Sequence, residues 1–253
     1  MTKNPKASYR IGMIVPSSNV TMETEIPRLL ERQPGQGAQF SFHSARVRLR
    51  HVTPDALQRM NEAAGEAVDT LCDAQVDSIM YACLVATMYG GKQGVLSTEA
   101  SLLSQAGANG AHPAVISSAG ALVTALRALN ARTVTLIAPY QPALTDRVAG
   151  TLEEFGINVR QTRSLAVADN VKVGRLDPQN LLEIAASMDL SGSDALVISA
   201  CVQMPSLAVV AEAEARFGLP VVSAATASAY ALLTSLGIRP AIPQAGRLLM
   251  HLN

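Results

Sequence analysis

Hydrophobic positions along the chain fall into two recurring patterns. Short runs that are apolar at nearly every position stand at residues 10–15 (RIGMIV), 78–82 (SIMYA) and 114–117 (AVIS), and a more alternating run covers 40–48 (FSFHSARVR). Between them lie longer stretches with apolar residues three and four apart, at 24–32, 55–74, 98–107 and 120–129. Strand-length runs alternating with helical ones predict βαβ units and a parallel sheet. Runs without a polar face fit strands covered by helices on both sides.

The order then repeats. The run TVTLIA at 133–138 ends at Pro139 as the run 11–15 ends at Pro16, and each follows an arginine. Asp77-Ser-Ile-Met-Tyr-Ala-Cys83 has a counterpart in Asp194-Ala-Leu-Val-Ile-Ser-Ala-Cys201, both closing on Ala-Cys. Pro113-Ala-Val-Ile-Ser-Ser-Ala-Gly-Ala-Leu is matched by Pro220-Val-Val-Ser-Ala-Ala-Thr-Ala-Ser-Ala. Three matches in one order imply duplication into two pseudo-symmetric, Rossmann-like α/β lobes, each a parallel sheet flanked by helices. The expected division gives residues 1–118 with 224–253 to the first lobe and 119–223 to the second. Ligands bind beyond the carboxyl ends of parallel strands, so Cys83 and Cys201 are expected to meet in the cleft between the lobes.

Composition narrows the partners. The 253 residues are 49% hydrophobic and 16% charged, and 20 basic residues balance 20 acidic ones. A chain this apolar folds around a substantial core, and a balanced charge without a basic stripe argues against nucleic acid. The uncharged stretch 217–238 is long enough to span a bilayer. Gly218, Pro220 and the five residues Ser223, Thr226, Ser228, Thr234 and Ser235 make it a buried strand followed by a helix instead, so no membrane partner is expected. No signal-like stretch precedes the first apolar run, and three cysteines without a CxxC pair point to a reducing cytoplasm. His43, His51, His112 and His251 are scattered without ligand spacing, so no metal is expected.

Candidate chemistry sits at the strand tips. Cys72, in mid-helix pattern, reads as a small buried hydrophobe. Cys83 and Cys201 occupy equivalent places in the repeat, each before a turn whose backbone amides favour thiolate. Two thiols on opposite sides of a small substrate act as nucleophile and proton donor, or as base and acid, which permits racemisation or isomerisation without a cofactor. Ser17, Ser18 and Asn19 follow the first strand, Tyr140 and Gln141 follow its counterpart, and Asn170 follows the second strand of the second half. Neutral donors of this kind hold carboxylates and stabilise a developing enolate-like charge. The glycine-bearing segment Tyr89-Gly-Gly-Lys-Gln-Gly94 is a candidate lid.

Arg10-Ile-Gly-Met-Ile-Val-Pro-Ser-Ser-Asn-Val-Thr-Met-Glu-Thr-Glu-Ile-Pro27, Tyr81-Ala-Cys-Leu-Val-Ala-Thr-Met88 and Ser199-Ala-Cys-Val-Gln-Met-Pro205 together resemble the maleate cis-trans isomerases, of the aspartate/glutamate racemase superfamily. The resemblance implies cofactor-free conversion of maleate to fumarate. Cys83 matches the nucleophile that forms a succinyl-cysteine, and Cys201 the acid/base. Asn19, Tyr140 and Asn170 match carboxylate-binding positions, with Ser17 and Val85 as neighbouring loop contacts. It also implies a homodimer and a place in nicotinate or other ring degradation. Amino-acid and hydantoin racemases of the same superfamily carry Cys-Asn-Thr and Cys-Thr-His, against Cys83-Leu-Val and Cys201-Val-Gln here. Arylmalonate decarboxylase generally uses one cysteine in the cleft, and a non-catalytic dicarboxylate-binding protein would need neither thiol.

Overall fold

A computed structural model describes residues 7–34 and 38–250; His251 and the two ends of the expected first lobe lie outside the described residues. The first half runs β1 (Ser8–Pro16), α1 (Met22–Leu30), β2 (Gln39–Val47), α2 (Pro54–Asp73), β3 (Ser78–Tyr81), α3 (Leu84–Met88), α4 (Gly91–Ala108), β4 (Ala114–Ser117) and α5 (Ser118–Ala128). The second runs β5 (Thr133–Ala138), α6 (Pro142–Glu154), β6 (Asn158–Ser164), α7 (Asn170–Val173), α8 (Gln179–Ala186), β7 (Ala195–Ser199), α9 (Val210–Phe217), β8 (Val221–Ser223) and α10 (Ala224–Ser235).

The strands form two sheets of four, ordered β2-β1-β3-β4 and β6-β5-β7-β8, with every pairing parallel. Each sheet repeats the other's topology, as the duplicated sequence requires. Strands β3 and β7 are buried at every position, which explains their unbroken apolar runs. The edge strands β2 and β6 alternate between exposed and covered positions, which explains their mixed ones.

Equivalent side chains fix the two sheets. Asp77 Oδ2 accepts from Arg10 N–H at 2.9 Å, tying the start of β3 to β1. Asp194 Oδ2 accepts from Arg132 and Thr133 N–H at 2.8 Å each, tying β7 to β5 in the same way. Ser117 caps α5 by accepting from Gly120 N–H, and Ser223 caps α10 within a capping box completed by Thr226. The stretch 217–238 contains β8 and α10, and no helix among the described residues is long and apolar enough to cross a membrane. Helix α10 follows the second sheet, yet it packs on α1, α5, β3 and β4 and so joins the halves.

The candidate lid needs correction. Only Tyr89 and Gly90 lie between α3 and α4; Gly91 to Gly94 form the first turn of α4, which begins at Gly91 rather than near Thr98. Three side chains of α6 pin this segment. Arg147 Nε donates to Tyr89 O at 2.8 Å, Thr151 Oγ1 to Met88 O at 3.0 Å, and Glu154 Oε2 accepts from Lys92 N–H at 2.6 Å. Gly91 adopts φ +67°, and a Cβ there would sit 2.7 Å from the Glu154 carboxylate. The glycines therefore serve a tight turn docked against the second lobe, a role that composition alone does not separate from a flexible loop.

Candidate active site

In each sheet the chain leaves the first strand towards one edge and later passes to the other, so strand order reverses between β1 and β3 and between β5 and β7. Such switch points open a crevice at the strands' carboxyl ends. Asn19 follows β1 and Cys83 follows β3; Tyr140 follows β5 and Cys201 follows β7. The four residues thus come from the four strand ends that border the two crevices.

The structure brings both thiols to Tyr140. All three side chains are buried, each cysteine being 6% exposed. Burial pushes the Tyr140 hydroxyl well above its usual value, and the adjoining Cys201 and Cys83 push it further. Burial likewise lifts Cys83 from 9.0 to about 12; the Ala86 N–H works against that rise and neighbouring Cys201 adds to it. Cys201 is raised by burial too, but three donors oppose the rise: the Tyr140 hydroxyl and the N–H groups of Gln203 and Met204. Gln203 N–H reaches Cys201 Sγ at 3.4 Å. With three donors against one, ionisation of the pair begins at Cys201. Tyr140 Oη also lies 3.2 Å from Ala200 O, so the phenol is held by the backbone immediately before Cys201.

Asn19 is oriented by its own helix. Its Oδ1 accepts from Thr21 N–H at 3.0 Å and Met22 N–H at 3.1 Å at the start of α1. That leaves Nδ2 as a donor with no protein acceptor among the described residues. Val85 lies in the first turn of α3, where backbone N–H groups lack intrahelical partners. Its side chain is buried, so any contact it offers a ligand is through the backbone. Asn170, also buried, opens α7 and donates Nδ2 to Ser18 Oγ at 2.7 Å, while Ser18 Oγ donates to Leu49 O at 2.5 Å. Ser17 is placed differently from the others. It is exposed, its N–H donates to Val47 O at 2.7 Å, and its Oγ accepts from Leu49 N–H at 3.0 Å. It bridges the ends of β1 and β2.

Gln203 is the residue that sequence reasoning missed. It is 2% exposed, and its amide makes four hydrogen bonds. Oε1 accepts from Val20 N–H at 2.9 Å and Thr21 N–H at 3.3 Å; Nε2 donates to Ser18 O at 2.9 Å and Asn170 O at 3.0 Å. One side chain therefore joins the Asn19 loop, the Asn170 segment and the Cys201 turn. The only sequence signal was a glutamine between apolar neighbours two residues after a strand-tip cysteine.

Two parallel α/β lobes, with a free thiol at each switch point and neutral donors around them, define a thiol enzyme class suited to small carboxylates. A family model described as arylmalonate decarboxylase matches residues 11–249. The maleate isomerase of Nocardia farcinica is 50% identical over 240 residues, covering 95% of this chain and 95% of its own. The chain belongs to that arylmalonate decarboxylase family and, within it, to the maleate isomerases. Two solved structures are similar throughout. A mutant of the maleate isomerase Iso from Pseudomonas putida S16, with maleate, has a TM-score of 0.94 at 44% identity, covering 96% of this chain and 97% of that one. A Nocardia farcinica maleate cis-trans isomerase mutant with a covalently bound succinylcysteine intermediate has a TM-score of 0.94 at 48% identity, covering 97% and 100%.

Proposed function

We propose that this chain isomerises maleate to fumarate without a cofactor, with Cys83 as nucleophile and Cys201 as acid/base. The observation that carries the reading is the cluster of two free, buried thiols around Tyr140, with the donors concentrated on Cys201. Asn19 Nδ2, the Val85 N–H and the second Nδ2 hydrogen of Asn170 receive the two carboxylates, and the single Tyr140 hydroxyl hydrogen turns to a carboxylate once Cys201 has taken up a proton. Ser17 supports them from outside by holding the loop ends together.

Cys201 ionises first and takes the proton of Cys83 as the Cys83 sulfur adds to one alkene carbon. The C–S bond forms, the π electrons move to the other carbon and its carboxylate, and Cys201 is left as a thiol. The former double bond is now single. Rotation about it relieves the repulsion between the cis carboxylates, while the donors stabilise the enediolate or Cys201 lends it a proton. Return of that proton to Cys201 and collapse of the enediolate expel the Cys83 thiolate, which recovers its proton from Cys201 as fumarate leaves. The buried setting keeps water from quenching the carbanion. Both thiols must stay reduced, which fits a reducing cytoplasm.

The test is a proton NMR assay of reduced, cofactor-free protein with maleate, since the two isomers have separate signals. Fumarate is expected, and is expected to vanish after thiol alkylation and in Cys83→Ala. In Cys201→Ala, mass spectrometry should find a succinyl adduct on Cys83. An adduct on Cys201 in Cys83→Ala, or full activity in either alanine variant, would overturn the assignment. No fumarate from folded, reduced protein would move the reading to decarboxylation, tested with arylmalonates.

A further inference from the structure

The carboxyl end of β2 carries a cavity of about 780 Å³ whose charge is unlike that of the chain as a whole. Its lining includes Arg48, Arg50, His51 and Arg59, with Glu62 as the one carboxylate. The whole sequence has no net charge, so three arginines against one acid is a local concentration of positive charge. These arginines are exposed and make no ion pair or side-chain hydrogen bond with the described residues. Three other exposed arginines are paired, Arg46 with Glu23, Arg160 with Asp189 and Arg216 with Glu183, while Arg28, Arg132, Arg163 and Arg175 stand singly without a side-chain partner among the described residues. What distinguishes the β2 end is that three unpaired arginines line one cavity. Even Glu62 is turned to a neighbour, accepting from Gln58 Nε2 at 2.9 Å.

Two walls of the cavity are hydrogen-bonded to segments of the candidate active site. Leu49, in its wall, holds Ser17 and Ser18 through its backbone N–H and carbonyl, and Ser18 in turn holds Asn170. Helix α2 forms another wall, and its Asn61 donates Nδ2 to Ala86 O at 3.0 Å, in the short helix that follows Cys83. Pseudo-symmetry sharpens the contrast. The corresponding end of β6 leads into the Asn170 segment, which Gln203 fastens over the site. The β2 end instead stays open and cationic.

We propose that this cavity is a capture site for the dicarboxylate dianion on its way to the thiols. The proposal rests on the isomerase reading for the identity of the dianion. Cys83, Cys201, Tyr140, Asn19 and Asn170 include no cationic side chain, so the inner site has little long-range attraction for a dianion. A field of one sign focused at a concave surface raises local substrate concentration and association rate by roughly 10-fold or more, and salt screens it. The cavity supplies the charge outside, and the neutral donors supply the fit inside. Charge placed outside also leaves the reacting centre free of an ion pair that would anchor one carboxylate during rotation.

The test combines Arg48→Gln, Arg50→Gln and Arg59→Gln in one variant, all at exposed positions, with circular dichroism to check the fold and the three single variants as a second series. Initial rates with maleate are measured over a range of sodium chloride concentrations. Wild-type kcat/KM should fall as salt rises. The triple variant should lose roughly 10-fold in kcat/KM at low salt, show a flatter salt dependence and keep its kcat, and Glu62→Gln should gain. A triple variant with the wild-type kcat/KM and salt slope would overturn the proposal. A readout independent of turnover is a titration with succinate, followed by NMR through the His51 ring protons assigned with His51→Gln. They should shift in the wild type and not in the triple variant. If succinate moves His51 while maleate is never isomerised, the isomerase reading falls and the anion site stands. If His51 does not respond, the anion site falls whatever the enzyme does.

Discussion

Cys83 and Cys201 are the same residue, after the same alanine, at equivalent strand ends, yet they differ in the donors around the sulfur. Burial raises both thiols, and the Tyr140 hydroxyl with two turn amides offsets it at Cys201 alone. Thiolate is the form that must appear, and both folded values lie above the ordinary 9.0. Activity limited by that ionisation should therefore climb with pH from neutrality to about 9 without a plateau. Tyr140→Phe removes a donor that stabilises the Cys201 thiolate. Its pKa should move further up, shifting the kcat/KM profile to higher pH and lowering kcat by about 10²-fold. A Tyr140→Phe enzyme with the wild-type pH profile would remove Tyr140 from the mechanism. Asn19 shows the same economy, since its oxygen starts α1 and only its nitrogen remains for a ligand.

Gln203 matters at the scale of elements, because the loop after β1, the start of α7 and the turn after β7 meet on its amide. Gln203→Leu leaves the N–H groups of Val20 and Thr21 and the carbonyls of Ser18 and Asn170 without that partner. The loss should destabilise the fold by about 3 kcal/mol in urea denaturation. Gln203→Glu keeps an acceptor for the two N–H groups but sets a carboxylate against the two carbonyls. Its KM for maleate should rise more than its kcat falls, because the Asn19 and Asn170 walls separate while Cys83 stays in place. Equal losses in both parameters would instead mean that Gln203 acts mainly through Cys201. The segment 89–94, a two-residue junction and the first turn of α4, carries a related lesson. Its glycines fit a lid or a tight turn equally well in the sequence, and only Arg147, Thr151 and Glu154 from a distant helix decide for the turn.

Over the whole molecule, the lobes must stay in register for the thiols to meet, and Glu25 is one of the joints. Its buried carboxylate on α1 accepts from the N–H groups of Ser206 and Leu207, both at 2.8 Å, just beyond the Cys201 turn. Burial raises its pKa above 4.5, and those N–H groups limit the rise. A raised folded pKa gives stability that is fully present below the unfolded value and is lost as pH climbs through the folded one. Glu25→Ala should cost about 3 kcal/mol, and the difference from wild type should be larger at pH 5 than at pH 7 in urea titrations. A larger difference at pH 7 would contradict the burial of this group.

Much of this arrangement is legible in the sequence, because period and order are local. Apolar runs of strand length gave the parallel sheets, the repeated Ala-Cys endings gave two equivalent halves, and a proline at each first strand tip marked where Asn19 and Tyr140 follow. The residue types at those tips were enough to suggest thiol chemistry on a small carboxylate. What the tertiary structure alone decided are the relations between distant segments. Gln203 bonds residues more than 180 positions away, Ser17 is turned to β2, and three arginines from a loop and a helix line one cavity. Such contacts depend on how loops of unequal length close over the strand ends. Hydrophobic periodicity reports which face of an element is buried, and carries no record of which polar group, far along the chain, arrives to meet it.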